Sequence, residues 1–130
     1  MRSKWRSERI EQRVADVLSS IDAIDEFLAG YDFDAYVRDR KTQSAVERQL
    51  LIISEGMTRL TELEQDLPEE RRFESRFPHV DVYQIRGMGN RVRHEYRYVN
   101  ASIIWDTAKG RDLKDLRAAL LEGYPSTSSG

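Results

Sequence analysis

The sequence contains no cysteine and only two histidines, which stand far apart at positions 79 and 94. The lack of cysteine excludes disulfides, thiol nucleophiles and cysteine-bound zinc, and two distant histidines make a metal site a poor expectation. No apolar run approaches the roughly 20 residues that span a bilayer, and the charged N-terminal segment has no apolar core. We therefore expect a cytoplasmic protein without a cofactor or membrane contact, whose catalysis is metal-free or uses a borrowed ion.

The chain also lacks a strong overall charge, since its formal net charge is only −2. Any attraction for nucleic acid must then come from a local basic patch. Apolar residues make up 39% and charged residues 34%, a balance that can bury a core and still cover long helices. With 130 residues, we expect a single domain over residues 1–124, followed by a disordered polar tail over residues 125–130.

Apolar residues recur at helical spacing along the chain, and no stretch alternates convincingly with the period of a strand. The first helix should stop at Gly30, Thr42 could cap the second, Asp81 should cap the third, and Gly110 should break the chain before the last. Short helices or turns are expected between them, with a charged loop before Asp81. The predicted fold is all-α, an up-and-down bundle of four main helices with short additional ones.

The second long helix carries a wide apolar surface. One stripe comprises Val46, Leu50, Ile53, Met57 and Leu60. Leu51 and Ile52 broaden this stripe beyond what one buried face needs. Extra core packing and a self-association surface would both produce such broadening, and the pattern leaves these two interpretations open.

The third helix carries a polar band, which consists of Arg86, Asn90, Arg93, His94 and Arg97. On an ideal helix these five positions fall within about 100° of one another, and the opposite side is apolar. The simplest interpretation is a polar face in water. However, like charges at this spacing repel by a few tenths of a kcal/mol per pair unless an anion or a partner offsets them.

The band has the chemistry that a phosphodiester requires. Arginine forks bind non-bridging phosphate oxygens, a neutral histidine can take a proton from a ribose 2′-hydroxyl, and an amide can orient the group. Histidine beside arginine has a reason to stay neutral near pH 7. These residues indicate metal-free RNA cleavage by transesterification, although spacing alone is a weak signal.

The segment GMGNRVRHEYRYVN resembles the closing motif of HepT-like proteins in the HEPN group, whose pattern is Arg-Asn, three residues, then His-x-Tyr. Asn90, His94 and Tyr96 match this spacing. The resemblance extends to DFDAYVRDRKTQSAVERQLLIISEGMTRL and to IIWDTAKGRDLKDLRAAL, and it covers about residues 10–121. It implies a four-helix bundle of HEPN type that forms a homodimer with both motifs facing a shared cleft.

The resemblance also implies a function. HepT-like proteins are ribonuclease toxins paired with a nucleotidyltransferase antitoxin, which can add AMP to the motif tyrosine. By this resemblance His94 is the catalytic base or acid, Asn90 its polar partner and Tyr96 the modification site. We further predict that Arg91 and Arg97 bind RNA.

One departure from the family pattern is serious, because Gly89 stands where the pattern has its catalytic arginine. We expect Arg93 to replace it, with Arg86 as the other arginine within one turn. An alternative is a catalytically degenerate HEPN dimer that binds RNA, a nucleotide or its partner without cleavage. A third hypothesis is a purely structural bundle, in which acidic side chains should neutralise the arginines.

Two further side chains have two interpretations each. Tyr96 falls on the apolar side of the ideal helix, so it is either a core tyrosine or an accessible modification site at a frayed end. Glu55 could form a salt bridge to the polar band across the bundle, although a solvated carboxylate is the simpler expectation. His79, which follows a proline, is expected to be exposed without a ligand role.

Overall fold

The computed structural model describes the backbone of residues 2–94 and 100–125 and the side chains of residues 4–92 and 101–125. Within these ranges every regular element is a helix. The α-helices are α1 Arg2–Leu28, α2 Phe33–Val37, α3 Arg40–Leu63, α4 Phe73–Arg76, α5 Val82–His94, α6 Asn100–Lys109 and α7 Arg111–Gly123. The all-α prediction is confirmed, with α1, α3, α5 and α7 as the main helices.

The core is centred on α1 and α3, which pack against each other along most of their length. The predicted stripe of α3 is confirmed, because Val46, Leu50, Ile53, Met57 and Leu60 are all buried. Gly56 lies at a close contact between the two helices, where a Cβ atom built on it would meet Cγ2 of Val17 at 2.5 Å. The glycine costs helix propensity of about 1 kcal/mol relative to alanine, but it permits this close packing.

Glycines and aspartates define the helix ends. Gly30, with a φ of 79°, ends the first helix in the left-handed conformation that glycine adopts without strain. The carboxylate of Asp81 accepts a hydrogen bond from a first-turn amide of α5 at 3.0 Å, so the predicted cap is confirmed. The prediction for Thr42 is wrong: Asp39 caps α3 and accepts from the Thr42 amide at 3.0 Å. Gly110 separates α6 from α7 as predicted.

The segment between α3 and α5 is more ordered than the predicted loop. It contains two 3₁₀ turns, Glu64–Asp66 and Glu69–Arg71, and the short helix α4. Glu64 organises it, because its buried carboxylate accepts from the Phe73 amide at 2.8 Å and from the Tyr124 hydroxyl at 2.6 Å. Burial, together with the hydrogen bond to Glu64, raises the pKa of Tyr124. One carboxylate thus joins α3, α4 and the end of α7.

None of the helices in the described ranges is both long enough and apolar enough to cross a membrane. Residues 126–130 lie outside the described part of the chain, so the disordered tail stays a prediction. The placement of α5 on α3 matters most for function, because α5 carries four of the five residues of the polar band, Arg86, Asn90, Arg93 and His94.

Candidate active site

The apolar side of α5 faces the core. Ile85, Met88 and Val92 are buried, as the sequence pattern predicts, and α5 packs mainly on α3. Tyr96, the fourth apolar position of this side, lies outside the described residues. The burial of one side of α5 leaves Arg86 and Asn90 of the polar band exposed on the other side.

Ser54 of α3 joins the two helices. Its hydroxyl donates to the carbonyl oxygen of Arg86 at 2.6 Å and accepts from the amide of Gly89 at 3.2 Å. Ser54 is only 5% exposed, so these hydrogen bonds are shielded from water. They fix the rotation of α5 on α3. The sequence contained a signal for this role, namely a serine within the apolar stripe of α3, but sequence reasoning did not use it.

A groove with a volume of about 340 Å³ runs between α3 and α5 beside this contact. Both helices contribute polar side chains to it. The lining residues are Ser54, Glu55, Thr58 and Arg59 from α3 and Arg86, Gly89 and Asn90 from α5. Two residues of the polar band, which sequence reasoning placed on one face, therefore lie together at one concave surface.

The side chains of Arg86 and Asn90 are exposed, and neither has a hydrogen-bond or ion-pair partner among the described residues. Arg91 is also exposed and donates to the neutral side chain of Gln84 at 2.7 Å. If the protein were a purely structural bundle, acidic side chains should neutralise these arginines. None of the described acidic side chains neutralises Arg86 or Arg91, the two arginines of α5 whose side chains are described, and this outcome disfavours the structural hypothesis.

Glu55 lines the groove but pairs within its own helix. Its carboxylate lies 3.9 Å from the guanidinium of Arg59, which also pairs with Glu62 at 3.1 Å. Exposed pairs of this kind contribute about 0–1 kcal/mol, so an incoming anion can recruit Arg59 at little cost. Sequence reasoning missed Arg59, because a lone arginine on a charged helix face gives no signal of the groove beside it.

Gly89 is buried at the contact between α3 and α5, and it also borders the groove. The position where the family pattern has an arginine therefore lines the same groove as Arg86. Arg93 and His94 are the last two residues of α5, and position 94 lies one turn beyond Asn90. Their side chains, and all of Tyr96 and Arg97, lie outside the described residues.

The other histidine stands apart from the groove. His79 is exposed and meets the ring of Phe77 edge-on, with the ring centroids 6.3 Å apart. Across the described ranges, no group of three or more His, Asp or Glu side chains is arranged to hold a metal ion. A larger cavity of about 730 Å³ lies between α1 and the segment after α3, and neither Arg86 nor Asn90, the two described residues of the polar band, borders it.

A helical bundle that presents Asn90 and His94 one turn apart on its third main helix has the features of an HEPN-type protein. Comparison with known families agrees, because the model described as "Ribonuclease HepT-like" matches residues 17–122. The chain therefore belongs to the HepT-like ribonuclease family, and the recognition made from the motif is confirmed.

Several curated proteins are similar to this chain. A candidate RNase of Methanocaldococcus jannaschii is 29% identical over 118 residues, which cover 87% of this chain and 90% of that protein. A protein of Thermococcus cleftensis described as a probable ribonuclease HepT is 28% identical, covering 78% and 84%. A candidate RNase of Caldanaerobacter subterraneus is 32% identical, covering 70% and 73%. No solved structure gives a significant match to the chain.

Proposed function

We propose that this protein is a metal-independent endoribonuclease and the toxin of a toxin–antitoxin pair. The observation that carries the proposal is the groove between α3 and α5, where the Arg86 guanidinium and the Asn90 amide are exposed without a partner among the described residues. An unpaired cation and an amide at a concave surface suit a phosphodiester group. Membership of the HepT-like ribonuclease family supports the same substrate class.

In the proposed reaction, the imidazole of His94 takes the proton from a ribose 2′-hydroxyl. The 2′ oxygen then forms a bond to the adjacent phosphorus, and the bond from phosphorus to the 5′ oxygen breaks. The departing oxygen takes up a proton from solvent, so the products are a 2′,3′-cyclic phosphate and a 5′-hydroxyl. Asn90 orients the phosphate, while arginine stabilises the negative charge that grows on its non-bridging oxygens.

We assign to Arg93 the role of the catalytic arginine that is missing at Gly89, with Arg86 in support. Arg93 is adjacent to His94 in the sequence, and Arg86 lies at the groove that Gly89 borders. Arg59 adds a third cation from α3, which becomes available once its surface ion pairs exchange for phosphate. Arg91 and Arg97 are assigned to the flanking RNA backbone.

We further propose a homodimer in which two copies of the motif face one cleft. Leu51 and Ile52 on α3 are half-buried, so part of the broad apolar surface is accessible to a second copy. The proposed antitoxin is a nucleotidyltransferase that silences the toxin by adding AMP to Tyr96. In such a dimer the two His94 residues should approach each other across the two-fold axis.

The second candidate is a degenerate HEPN dimer that binds RNA, a nucleotide or its partner without cleaving. Gly89 favours this alternative, because glycine supplies no charge at the position of the family's catalytic arginine. The two candidates differ in one property, which is whether the RNA backbone is broken.

Cleavage of a structured RNA by the purified protein in EDTA tests the proposal, with His94→Ala as the control. We expect cleavage that leaves 2′,3′-cyclic phosphate ends, and a loss of about 10²- to 10⁴-fold in the variant, the usual contribution of a general acid or base. Dimeric, unmodified wild-type protein that binds RNA but leaves it intact would support the degenerate alternative instead.

A further inference from the structure

Tyr83 is the most exposed large hydrophobic side chain among the described residues, with 87% of its surface accessible. It lies in the first turn of α5, and its ring makes no aromatic or cation contact within the described part of the chain. Nothing in the described part of the chain covers this ring, so its apolar surface stays in contact with water. A single exposed ring is common on protein surfaces, and its meaning depends on the groups beside it.

The position of Tyr83 on α5 connects it to the groove. Arg86 lies three residues further on and Asn90 seven, so all three occupy one face of the helix. Between them lies Gly87, where a Cβ atom would meet nothing within 4 Å. The helix surface near Tyr83 is therefore open at Gly87, and Arg86, which has no side-chain partner among the described residues, lies about one turn further along.

We propose that Tyr83 is a stacking platform for an RNA base that flanks the cleavage point; this inference rests on the proposed ribonuclease function. Proteins that recognise single-stranded RNA stack unpaired bases on aromatic rings and bind the neighbouring phosphates with arginine. Tyr83 and Arg86 provide this pair of contacts on one helix face. Eleven residues separate Tyr83 from His94, about 16 Å along the axis, so the stacked base belongs to a flanking nucleotide.

The charge of Arg86 favours RNA over a direct contact with a second copy of the chain, although Glu74 and Asp81 border a depression on which Tyr83 also lies. In the proposed dimer the two motifs face each other across an open cleft, whereas a closed symmetric contact centred on Tyr83 would press two Arg86 side chains together. Arg86 has no acidic partner among the described residues. Like charges facing each other across an interface are unfavourable. A polyanion carrying aromatic bases satisfies both the ring and the guanidinium.

Binding measurements on His94→Ala protein, which should not cleave its ligand, test the inference. The ligand is a short single-stranded RNA with a fluorescent end label, compared with an abasic strand of the same length. Tyr83→Ala is expected to weaken binding of the normal RNA by about 5- to 150-fold, the range for one stacked base. Tyr83→Phe should bind like the parent, because it keeps the ring. Binding of the abasic strand should be the same for Tyr83→Ala and the parent.

A matched control is Trp5→Ala, which removes another exposed aromatic, 57% accessible, from a different helix. It should leave RNA affinity unchanged. Equal RNA affinity of Tyr83→Ala and its parent would overturn the stacking site while leaving the ribonuclease proposal intact. A change in self-association measured by sedimentation, without a change in RNA affinity, would assign Tyr83 to a contact between copies and also overturn it. A parent protein that binds no RNA would overturn both proposals.

Discussion

Polar side chains in this protein fall into two groups with opposite surroundings. The closed group, Asp39, Ser54 and Glu64, has its polar atoms held by protein hydrogen bonds. The open group on α5, which comprises Tyr83, Arg86 and Asn90, is exposed and without protein partners among the described residues. The closed group joins helices, whereas the open group has nothing within the described chain to act on.

The comparison separates stability from function. Removing a partnered, buried polar group leaves another group unsatisfied and costs folding free energy. Removing an exposed and unpartnered group costs the fold almost nothing, because surface substitutions usually stay within about 0.5 kcal/mol. Variants of the closed group should therefore change stability, and variants of the open face and of its neighbours in the polar band should change activity on RNA.

The largest effect is expected for Arg93, which is proposed to replace the arginine missing at Gly89. Arg93→Ala should slow RNA cleavage to an extent comparable with His94→Ala, about 10²- to 10³-fold, because it removes a group that stabilises the charge of the transition state. Single-turnover cleavage rates measure this loss. Equal rates for Arg93→Ala and the wild type would assign the role to another arginine.

A smaller effect, on stability alone, is expected for Glu64. Glu64→Ala leaves the Phe73 amide and the Tyr124 hydroxyl without their acceptor, which should lower the free energy of unfolding by about 1–3 kcal/mol. Urea denaturation measures the change. The control is Glu62→Ala, an exposed glutamate in the last turn of α3 two residues earlier, which should stay within about 0.5 kcal/mol of the wild type. Equal stabilities of the two variants would contradict the role of Glu64.

Two glycines offer the same substitution in closed and open surroundings. Gly56→Ala introduces a methyl group against Val17 between α1 and α3, which should cost about 1–3 kcal/mol by overpacking. Gly87→Ala meets open space and should stabilise α5 by about 0.5–1 kcal/mol through helix propensity. Thermal and urea unfolding of both variants give the comparison. Destabilisation by Gly87→Ala would mean that the open face is packed against something.

The smallest effect concerns pH. Hydrogen bonds from Tyr31 and from Thr42 lower the pKa of Asp39 to about 2. A carboxylate with a lowered pKa stabilises the fold above its ordinary pKa near 4, and this contribution is lost as the pH falls toward 2. The stability of the wild type should therefore fall over this window more steeply than that of Asp39→Asn. Asp34→Asn, an exposed aspartate, should retain the steep wild-type profile.

The sequence predicted the helices well, because their apolar spacing and their caps are local signals. Gly30 and Asp81 have the predicted roles, while Asp39 capped α3 in place of Thr42, since two residues within four positions could each cap the helix. The organisation around Glu64 was missed, because a buried glutamate is recognisable only once Phe73 and Tyr124 are placed beside it.

The candidate site could be predicted in part. Helical geometry was enough to place Arg86 and Asn90 on one face, and the motif pointed to the family. The contribution of α3 to the candidate site could not be predicted from the sequence, because Ser54 and Arg59 reach the groove only through the packing of α3 on α5. The roles of Arg93, His94, Arg97 and Tyr96 stay predictions, as their side chains lie outside the described residues.

The central claim is that the open face of α5 acts on RNA rather than stabilising the fold. The most direct test measures the RNA cleavage rate of Arg86→Ala in EDTA together with its free energy of unfolding. The matched control is Arg117→Ala, whose arginine is paired with Asp22 at 2.8 Å on another surface. We expect Arg86→Ala to lose about 10- to 100-fold in rate at unchanged stability, the value of one hydrogen bond to a charged group and less than the loss for Arg93→Ala, and Arg117→Ala to cleave normally. Wild-type cleavage by Arg86→Ala would contradict the account.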